Sequence, residues 1–224
     1  MEWVTLGLGL LGIALAIFIP LRVEYERRPR LRIERGEDLN ATNLPYSMPS
    51  YRIVHVKVYN EPISGWPARW LLRNTATGCH VKLRLRSRSD GSATPWWRGK
   101  WSARPEPIQT LTVTLRDGRE ILQQFWDPQK EPAMFTYDLP SGEDGEGVAV
   151  AIKHDGDTEA YAYAASVYRH LPGPLKDAGL ALRDTEYDVT VRATAGEIVE
   201  EETFFLRNEG LHYTGLSFHA ATAE

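Results

Sequence analysis

The 224 residues include one cysteine, Cys79, so no disulfide can form within the chain. The six histidines are scattered, and neither an H-E-x-x-H motif nor a Cys/His pair at zinc-binding spacing occurs. No combination of nucleophile, base and acid typical of a catalytic site stands out in the sequence. We therefore expect a protein that is not an enzyme and that uses neither a metal nor a cofactor.

Long apolar runs are equally scarce, because only residues 4–21 (VTLGLGLLGIALAIFIPL) are long and uncharged enough to cross a bilayer. With Trp3 this run would span about 28 Å as a helix, close to the thickness of a hydrocarbon core. A cleaved signal peptide needs a basic start, and no Lys or Arg precedes the run. A buried core helix is the other alternative. We predict a transmembrane anchor over residues 1–21.

The charges that follow the apolar run predict its orientation. Arg22, Arg27, Arg28 and Arg30 come directly after it, and nothing basic comes before it. Basic residues next to a membrane span stay in the cytoplasm, so we expect the N-terminus outside and the remainder inside. A single unpaired cysteine also suits a reducing compartment.

Beyond residue 22 the dominant pattern is an alternation of apolar and polar residues, which is typical of half-buried strands. It is clearest in residues 51–60, 79–87 and 187–193, and shorter candidates are residues 30–34, 110–115, 134–137, 148–153 and 202–206. Residues 160–168 fit either a short helix or a strand. Asp-Gly and Ala-Gly pairs separate several of these segments, and the pair at 195–196 predicts a hairpin. The pattern predicts an all-β fold, an antiparallel immunoglobulin-like β-sandwich preceded by one N-terminal transmembrane helix.

The predicted domain organisation has four parts. Residues 1–21 form the anchor, and residues 22–50 form a basic juxtamembrane segment with the first strand and a connector. Residues 51–210 form the sandwich, and residues 211–224 form a loose tail. The sandwich region exceeds the ~100 residues of a minimal domain, so it is one enlarged sandwich or two small sheets with a boundary near residues 141–147. We favour one sandwich.

Two neighbouring segments carry a resemblance to a known family. His55-Val-Lys-Val-Tyr-Asn60, a loop and Cys79-His-Val-Lys-Leu-Arg-Leu85 resemble the paired strands of prokaryotic immunoglobulin-like modules of the CARDB type. The resemblance covers only these strands and the loop between them. It implies a binding or scaffolding role. Glu61-Pro62 replaces the glycine that usually follows the asparagine, so the turn must differ.

A net charge of −4 hides an uneven distribution. Residues 22–105 contain 17 Lys and Arg against 7 Asp and Glu, whereas residues 106–224 contain 9 against 22. Lys82, Arg84, Arg86 and Arg88 lie on one face of the predicted strand. Such a row can contact anionic lipid or another polyanion. Alternatively, acids of the second half pair with the row across the sheets.

Tryptophans cluster between residues 66 and 101. The five are Trp66, Trp70, Trp96, Trp97 and Trp101. Clustered tryptophans form a contact platform or fill a core. Because polar and glycine residues flank the last three, we predict a partner-binding surface made of Trp96, Trp97, Arg98, Lys100 and Trp101. Aromatics beside cations can also bind nucleic acid, but a pI of about 5.9 and the lack of a recognised motif disfavour that partner.

Together these features predict a single-pass membrane protein that presents a cytoplasmic β-sandwich for binding or scaffolding of a macromolecular partner, with no catalysis. The mechanism is tethering, since confinement to a membrane raises the effective concentration of both molecules. The alternative is the same fold outside the cytoplasm, as an envelope or adhesion module that contacts glycans or surface proteins. The side of the membrane on which the C-terminus lies distinguishes the two.

Overall fold

The computed structural model describes residues 2–42, 49–65, 68, 70–142, 144–171 and 175–221, and in residues 2–11 and 14 it describes the backbone alone. Helix α1 (Glu2–Arg27) comes first and strands follow. The strands are β1 (Leu31–Arg35), β2 (Leu39–Ala41), β3 (Tyr51–Asn60), β4 (Ala76–Ser87), β5 (Trp97–Arg98), β6 (Ile108–Thr114), β7 (Glu120–Trp126), β8 (Tyr137–Leu139), β9 (Glu146–His154), β10 (Ala160–Ala162), β11 (Ala181–Leu182), β12 (Glu186–Ala195), β13 (Ile198–Asn208) and β14 (Leu216–Ala220). Short 3-10 helices cover Glu131–Phe135, Ala165–His170, Ala178–Leu180 and Tyr213–Gly215.

The helix α1 ends in a charged turn, where Glu26 pairs with Arg22 at 2.5 Å and with Arg30 at 3.7 Å. Within the described part of the chain, no helix is long and apolar enough to cross a membrane. Much of the predicted anchor, the side chains of residues 1–11 and 14, lies outside the described residues.

The described strands form two six-stranded sheets and a separate hairpin, all antiparallel. The first sheet has the order β1-β3-β9-β10-β11, with β2 also paired to β3. The second has the order β14-β13-β12-β4-β5, with β8 also paired to β4. Strands β6 and β7 pair only with each other among the described residues. The chain is therefore mostly β, as the alternation predicts.

Both sheets contribute to one hydrophobic core, in a sandwich-like arrangement. Val54, Val56 and Val150 of the first sheet belong to the same buried cluster as Leu83 and Val189 of the second. The inward positions predicted for β4 are confirmed, since its four alternating apolar residues from Cys79 to Leu85 are fully buried. The hairpin predicted at Ala195 is also confirmed, with β12 and β13 in register from Glu186↔Arg207 to Ala195↔Ile198.

A second apolar cluster covers the outer face of the first sheet. We call it the cover cluster; its buried members are Ile53, Met134, Phe135, Ala149, Ile152, Tyr163, Ala165, Val167 and Tyr168. Most of these residues come from β9 or from the two 3-10 helices after β7 and β10. Strand β9 is consequently buried on both faces from Val148 to His154.

Two predicted segments differ in the structure. The alternation predicts a strand over residues 134–137, but Glu131–Phe135 is a 3-10 helix and β8 starts only at Tyr137. Pro132 suits the first turn of a helix, and the turn directs Met134 and Phe135 into the cover cluster. Residues 160–168 are neither of the two expected elements alone, because the short β10 is followed by the helix Ala165–His170.

The expected connector and tail contain strands. In the connector, β2 pairs with the first residues of β3, while residues 43–48 lie outside the described residues. The tail is not loose from residue 216 to residue 220, because β14 pairs with β13 and buries Leu216 and Phe218. Residues 222–224 lie outside the described part. Residues 141–147, of which Glu143 is not described, lead into β9, which begins at Glu146 and pairs in one sheet with β3 from the earlier part of the chain.

Candidate functional site

The C-terminal end of α1 is hydrogen-bonded to the loop that precedes β4. Arg73 Nη1 donates to the Arg28 carbonyl oxygen at 2.6 Å, and the Asn74 amide donates to the Arg27 carbonyl oxygen at 2.8 Å. The end of a helix leaves such carbonyls without an intrahelical partner. Arg73 is buried, and this burial lowers the pKa of its guanidinium. Two contacts from one loop therefore hold the helix end.

Asn60, the last residue of β3, joins that loop to both sheets. Its Oδ1 accepts from the Arg30 amide at 3.0 Å. Its Nδ2 donates to the carbonyl oxygens of Asn74 at 2.8 Å and Leu139 at 3.3 Å. Asn60 is fully buried, and buried amides need such partners. Asn60, Arg73 and Asn74, which we call the clasp, fix the end of α1 against the two sheets.

The predicted basic row lies on the outer face of the second sheet. Lys82, Arg84, Arg86 and Arg88 are all exposed, and they alternate along the chain with the buried residues of β4. Their cross-strand neighbours on β12 are Arg192 opposite Lys82, Thr190 opposite Arg84 and Asp188 opposite Arg86. The sheet register therefore places a carboxylate opposite Arg86 only, while Lys82 faces a second cation and Arg84 faces a hydroxyl.

Acids of the second half neutralise only part of this row. Arg88 pairs with Asp188 at 2.7 Å, which joins the two halves of the sequence. Glu201 instead pairs with Arg192, a residue of its own half, at 2.6 Å. Within the described residues, no carboxylate oxygen lies within 4.0 Å of the charged nitrogens of Lys82, Arg84 or Arg86. The outer face therefore keeps a positive charge.

The predicted partner-binding surface is wrong for two of its residues. Trp101 is 0% exposed in the hydrophobic core that the two sheets share, and its Nε1 donates to the Phe135 carbonyl oxygen at 3.2 Å. Lys100 is 7% exposed, and burial lowers the pKa of its ammonium group. The segment is pressed onto the core at Gly99, where an added Cβ would lie 2.4 Å from Val148 Cγ1. Neither residue can therefore meet a partner on the surface.

The remaining predicted residues lie beside the basic row. Trp97 is half-buried against the main core and faces Leu83 of β4. Arg98 is exposed and pairs in register with Lys82. Trp96 is exposed, with the Arg192 guanidinium carbon 4.9 Å from its ring centroid, a distance at which cations and aromatic rings attract. We call the exposed set of Lys82, Arg84, Arg86, Arg88, Trp96 and Arg98 the basic face.

Sequence patterns alone did not point to the clasp. Asn60 ends a recognisable motif, but nothing in its sequence indicates which carbonyls it meets. Among the described residues, no group of three or more His, Cys, Asp or Glu side chains is placed to hold a metal ion.

Comparison with known proteins finds no match among protein-family models, curated proteins or solved structures. The resemblance to CARDB-type modules thus rests on the two strand motifs alone. In the structure these strands do not pair, because β3 lies in the first sheet and β4 in the second. Both still face the same core.

Proposed function

We propose that this chain is a single-pass membrane-anchored protein whose immunoglobulin-like β-sandwich lies in the cytoplasm and binds an acidic segment of a partner protein through the basic face. The observation that carries the proposal is the exposure of Lys82, Arg84 and Arg86 without a carboxylate partner among the described residues. Trp96 adds a flat aromatic contact beside these cations, and tryptophan is common at the centre of protein interfaces.

The anchoring part of the proposal has separate support. Every residue from Leu15 to Leu21 is exposed in the isolated chain, which leaves apolar surface in water that a hydrocarbon core would cover. The clasp joins the end of α1 to the sandwich, so a membrane that holds α1 also positions the sandwich. Anchoring raises the effective concentration of the basic face for partners at the same membrane.

The course of β4 favours a protein over lipid as the main partner of the basic face. Ala76, the first residue of β4, pairs with Leu139, whose carbonyl oxygen accepts a hydrogen bond from the clasp residue Asn60. This end of β4 therefore lies at the clasp. From there β4 runs about 36 Å to its last residue, Ser87. Lipid charges act within a Debye length of about 10 Å, so the half of the row far from α1 is available to a partner.

The test uses the full chain in nanodiscs of zwitterionic lipid and a fluorescein-labelled polyglutamate peptide as the probe. We expect the triple variant Lys82→Gln, Arg84→Gln and Arg86→Gln to bind the peptide about tenfold more weakly, since each exposed ion pair contributes up to about 1 kcal/mol. A control variant, Arg116→Gln, Arg119→Gln and Arg183→Gln, removes the same charge from exposed sites outside the basic face.

The proposal predicts a loss for the first variant and little change for the control. Equal affinity of the wild type and both variants, or equal losses in both variants, would contradict it. A second measurement mixes the same nanodisc-embedded chains with vesicles of anionic lipid and no peptide. The lipid alternative predicts that the first variant binds these vesicles more weakly than the wild type does.

A further inference from the structure

Two large apolar side chains beside the clasp are unusually exposed. Trp70 is 75% exposed and Leu72 is 82% exposed, although they are only two residues apart. Arg73, the next residue, is buried in its bond to Arg28. The clasp therefore holds this short loop in place with its apolar side chains turned outward. Contiguous apolar surface of this kind marks a contact site.

The loop and α1 form the two sides of one groove. The groove has a volume of about 490 Å³, and Phe18, Ile19 and Val23 of the helix line it together with Trp70 and Leu71. Its lining from Phe18 to Glu26 covers about 12 Å of the helix axis. Trp70 therefore lies at the height where the apolar run of α1 ends and its charged turn begins.

The charges around the groove indicate what occupies it. Arg22 lines the groove and is exposed, and the guanidinium carbons of Arg22 and Arg30 lie 5.7 Å and 5.6 Å from the centroid of the Tyr25 ring. Glu26 also lines the groove and pairs with both arginines, so the charged side carries two guanidiniums against one carboxylate. Apolar side chains on one side and this net positive charge on the other match the acyl chains and phosphates of a lipid leaflet. Tryptophan prefers this same boundary.

We infer that the loop containing Trp70 and Leu72 inserts into the lipid interface as a second membrane contact beside α1. This inference rests on the proposed anchoring of α1. Lipid fills the groove between the loop and the helix, and the clasp transmits both contacts to the sandwich. Two contacts fix the tilt of the sandwich on the membrane, whereas a single flexible tether would leave it free.

The experiment places a nitroxide spin label at position 70 or 72 of the full chain in liposomes, through the variants Trp70→Cys and Leu72→Cys. The native Cys79 does not interfere, because it is fully buried and burial raises the pKa of its thiol to about 11. Collisions of the label with O₂, which concentrates in lipid, are compared with collisions with a water-soluble nickel complex.

Leu211→Cys provides the matched control. Leu211 is also exposed, and its carbonyl oxygen accepts from Gly156, close to His154. His154 pairs with Tyr51, the first residue of β3, whereas the clasp residue Asn60 is the last. The control therefore lies about 30 Å from the clasp, at the opposite end of β3.

We expect labels at positions 70 and 72 to collide more often with O₂ than with the nickel complex, and the label at position 211 to show the reverse. If the nickel complex reaches all three labels equally while alkaline carbonate leaves the chain in the membrane, the inference is wrong and the anchor stands. If carbonate extracts the chain and all labels are aqueous, the anchor proposal fails as well.

Discussion

The two sheets share one core but differ at their outer faces. On the first sheet, the outward side chains of β3 and β9 pack with residues of two 3-10 helices in the cover cluster, so β9 is buried on both sides. The second sheet leaves its outer face to water, and β4 alternates between fully buried apolar residues and exposed cations. A strand that is buried on both faces can only support the fold, whereas a strand with one free face can also bind.

The sequence already contains this difference. Residues 148–152 read VAVAI without a polar position, which is typical of a strand covered on both sides. From His80 in β4 to Arg88, which directly follows the strand, every second residue is basic. In this chain the alternating strand, not the more hydrophobic one, is therefore the place to look for a contact surface.

The largest expected effect compares two tryptophans of the same segment. Trp101→Ala removes a fully buried side chain from the shared core and should lower the free energy of unfolding by about 3–5 kcal/mol. Trp96→Ala removes an exposed side chain and should cost less than about 1 kcal/mol. Urea denaturation followed by circular dichroism measures both. Similar losses for the two variants would mean that Trp96 is also part of the core.

The next effect compares the outer faces directly. Ile152→Ala opens a cavity within the cover cluster, and we expect the free energy of unfolding to fall by about 2–4 kcal/mol. Thr190→Ala, on the outer face of β12, should change the free energy of unfolding by no more than about 0.5 kcal/mol. The same urea titration serves here. A loss near zero for Ile152→Ala would show that the cover cluster does not pack as described.

Alkaline pH should weaken the cover cluster in particular. Tyr163 and Tyr168 are buried there with their hydroxyls 2.7 Å apart, and burial raises the pKa of both phenols above the ordinary 10.0. Above about pH 10 the unfolded chain loses phenol protons that the folded chain keeps. The free energy of unfolding is therefore highest below pH 10 and falls as the pH rises further. By about pH 11 each phenol lowers the free energy of unfolding by roughly 1 kcal/mol.

This pH effect is measured as the change in urea midpoint between about pH 8 and about pH 11. The variant Tyr163→Phe with Tyr168→Phe should lose less stability over this range than the wild type. Tyr213→Phe, outside the cluster, should behave like the wild type. An unchanged pH dependence in the double variant would contradict the burial of these phenols.

The smallest expected effect concerns the basic face. The variant Lys82→Gln, Arg84→Gln and Arg86→Gln removes three exposed charges that have no carboxylate partner among the described residues, so the free energy of unfolding should change by less than about 1 kcal/mol. Thermal denaturation at low salt is the measurement. Destabilisation comparable to that of Ile152→Ala would assign these cations to the fold rather than to binding.

Much of the strand pattern follows from local alternation. The predicted strands in 51–60, 79–87 and 187–193 match β3, β4 and β12 because one face of each is buried. Strand β7 was missed, since Gln123 and Gln124 interrupt its alternation and it pairs only with β6 in a partly exposed hairpin. Strand β14 was missed because its order comes from pairing with β13 rather than from its own short sequence.

The candidate site was less predictable than the fold. Alternation placed the basic row on one outer face, because strand geometry alone decides which side chains share a face. Alternation could not show that Trp101 and Lys100 are buried. Their burial depends on how the irregular segment after β5 packs against the core. The clasp depends on contacts between residues up to 79 positions apart, which no local pattern encodes.

The measurement that tests the account most directly is the location of the C-terminus, with a C-terminal reporter that is active on only one side of the membrane. We expect the chain in the membrane fraction and the reporter active only in the cytoplasm. A reporter active only outside would contradict the orientation and favour an envelope module, and a chain found outside the membrane fraction would contradict the anchor itself.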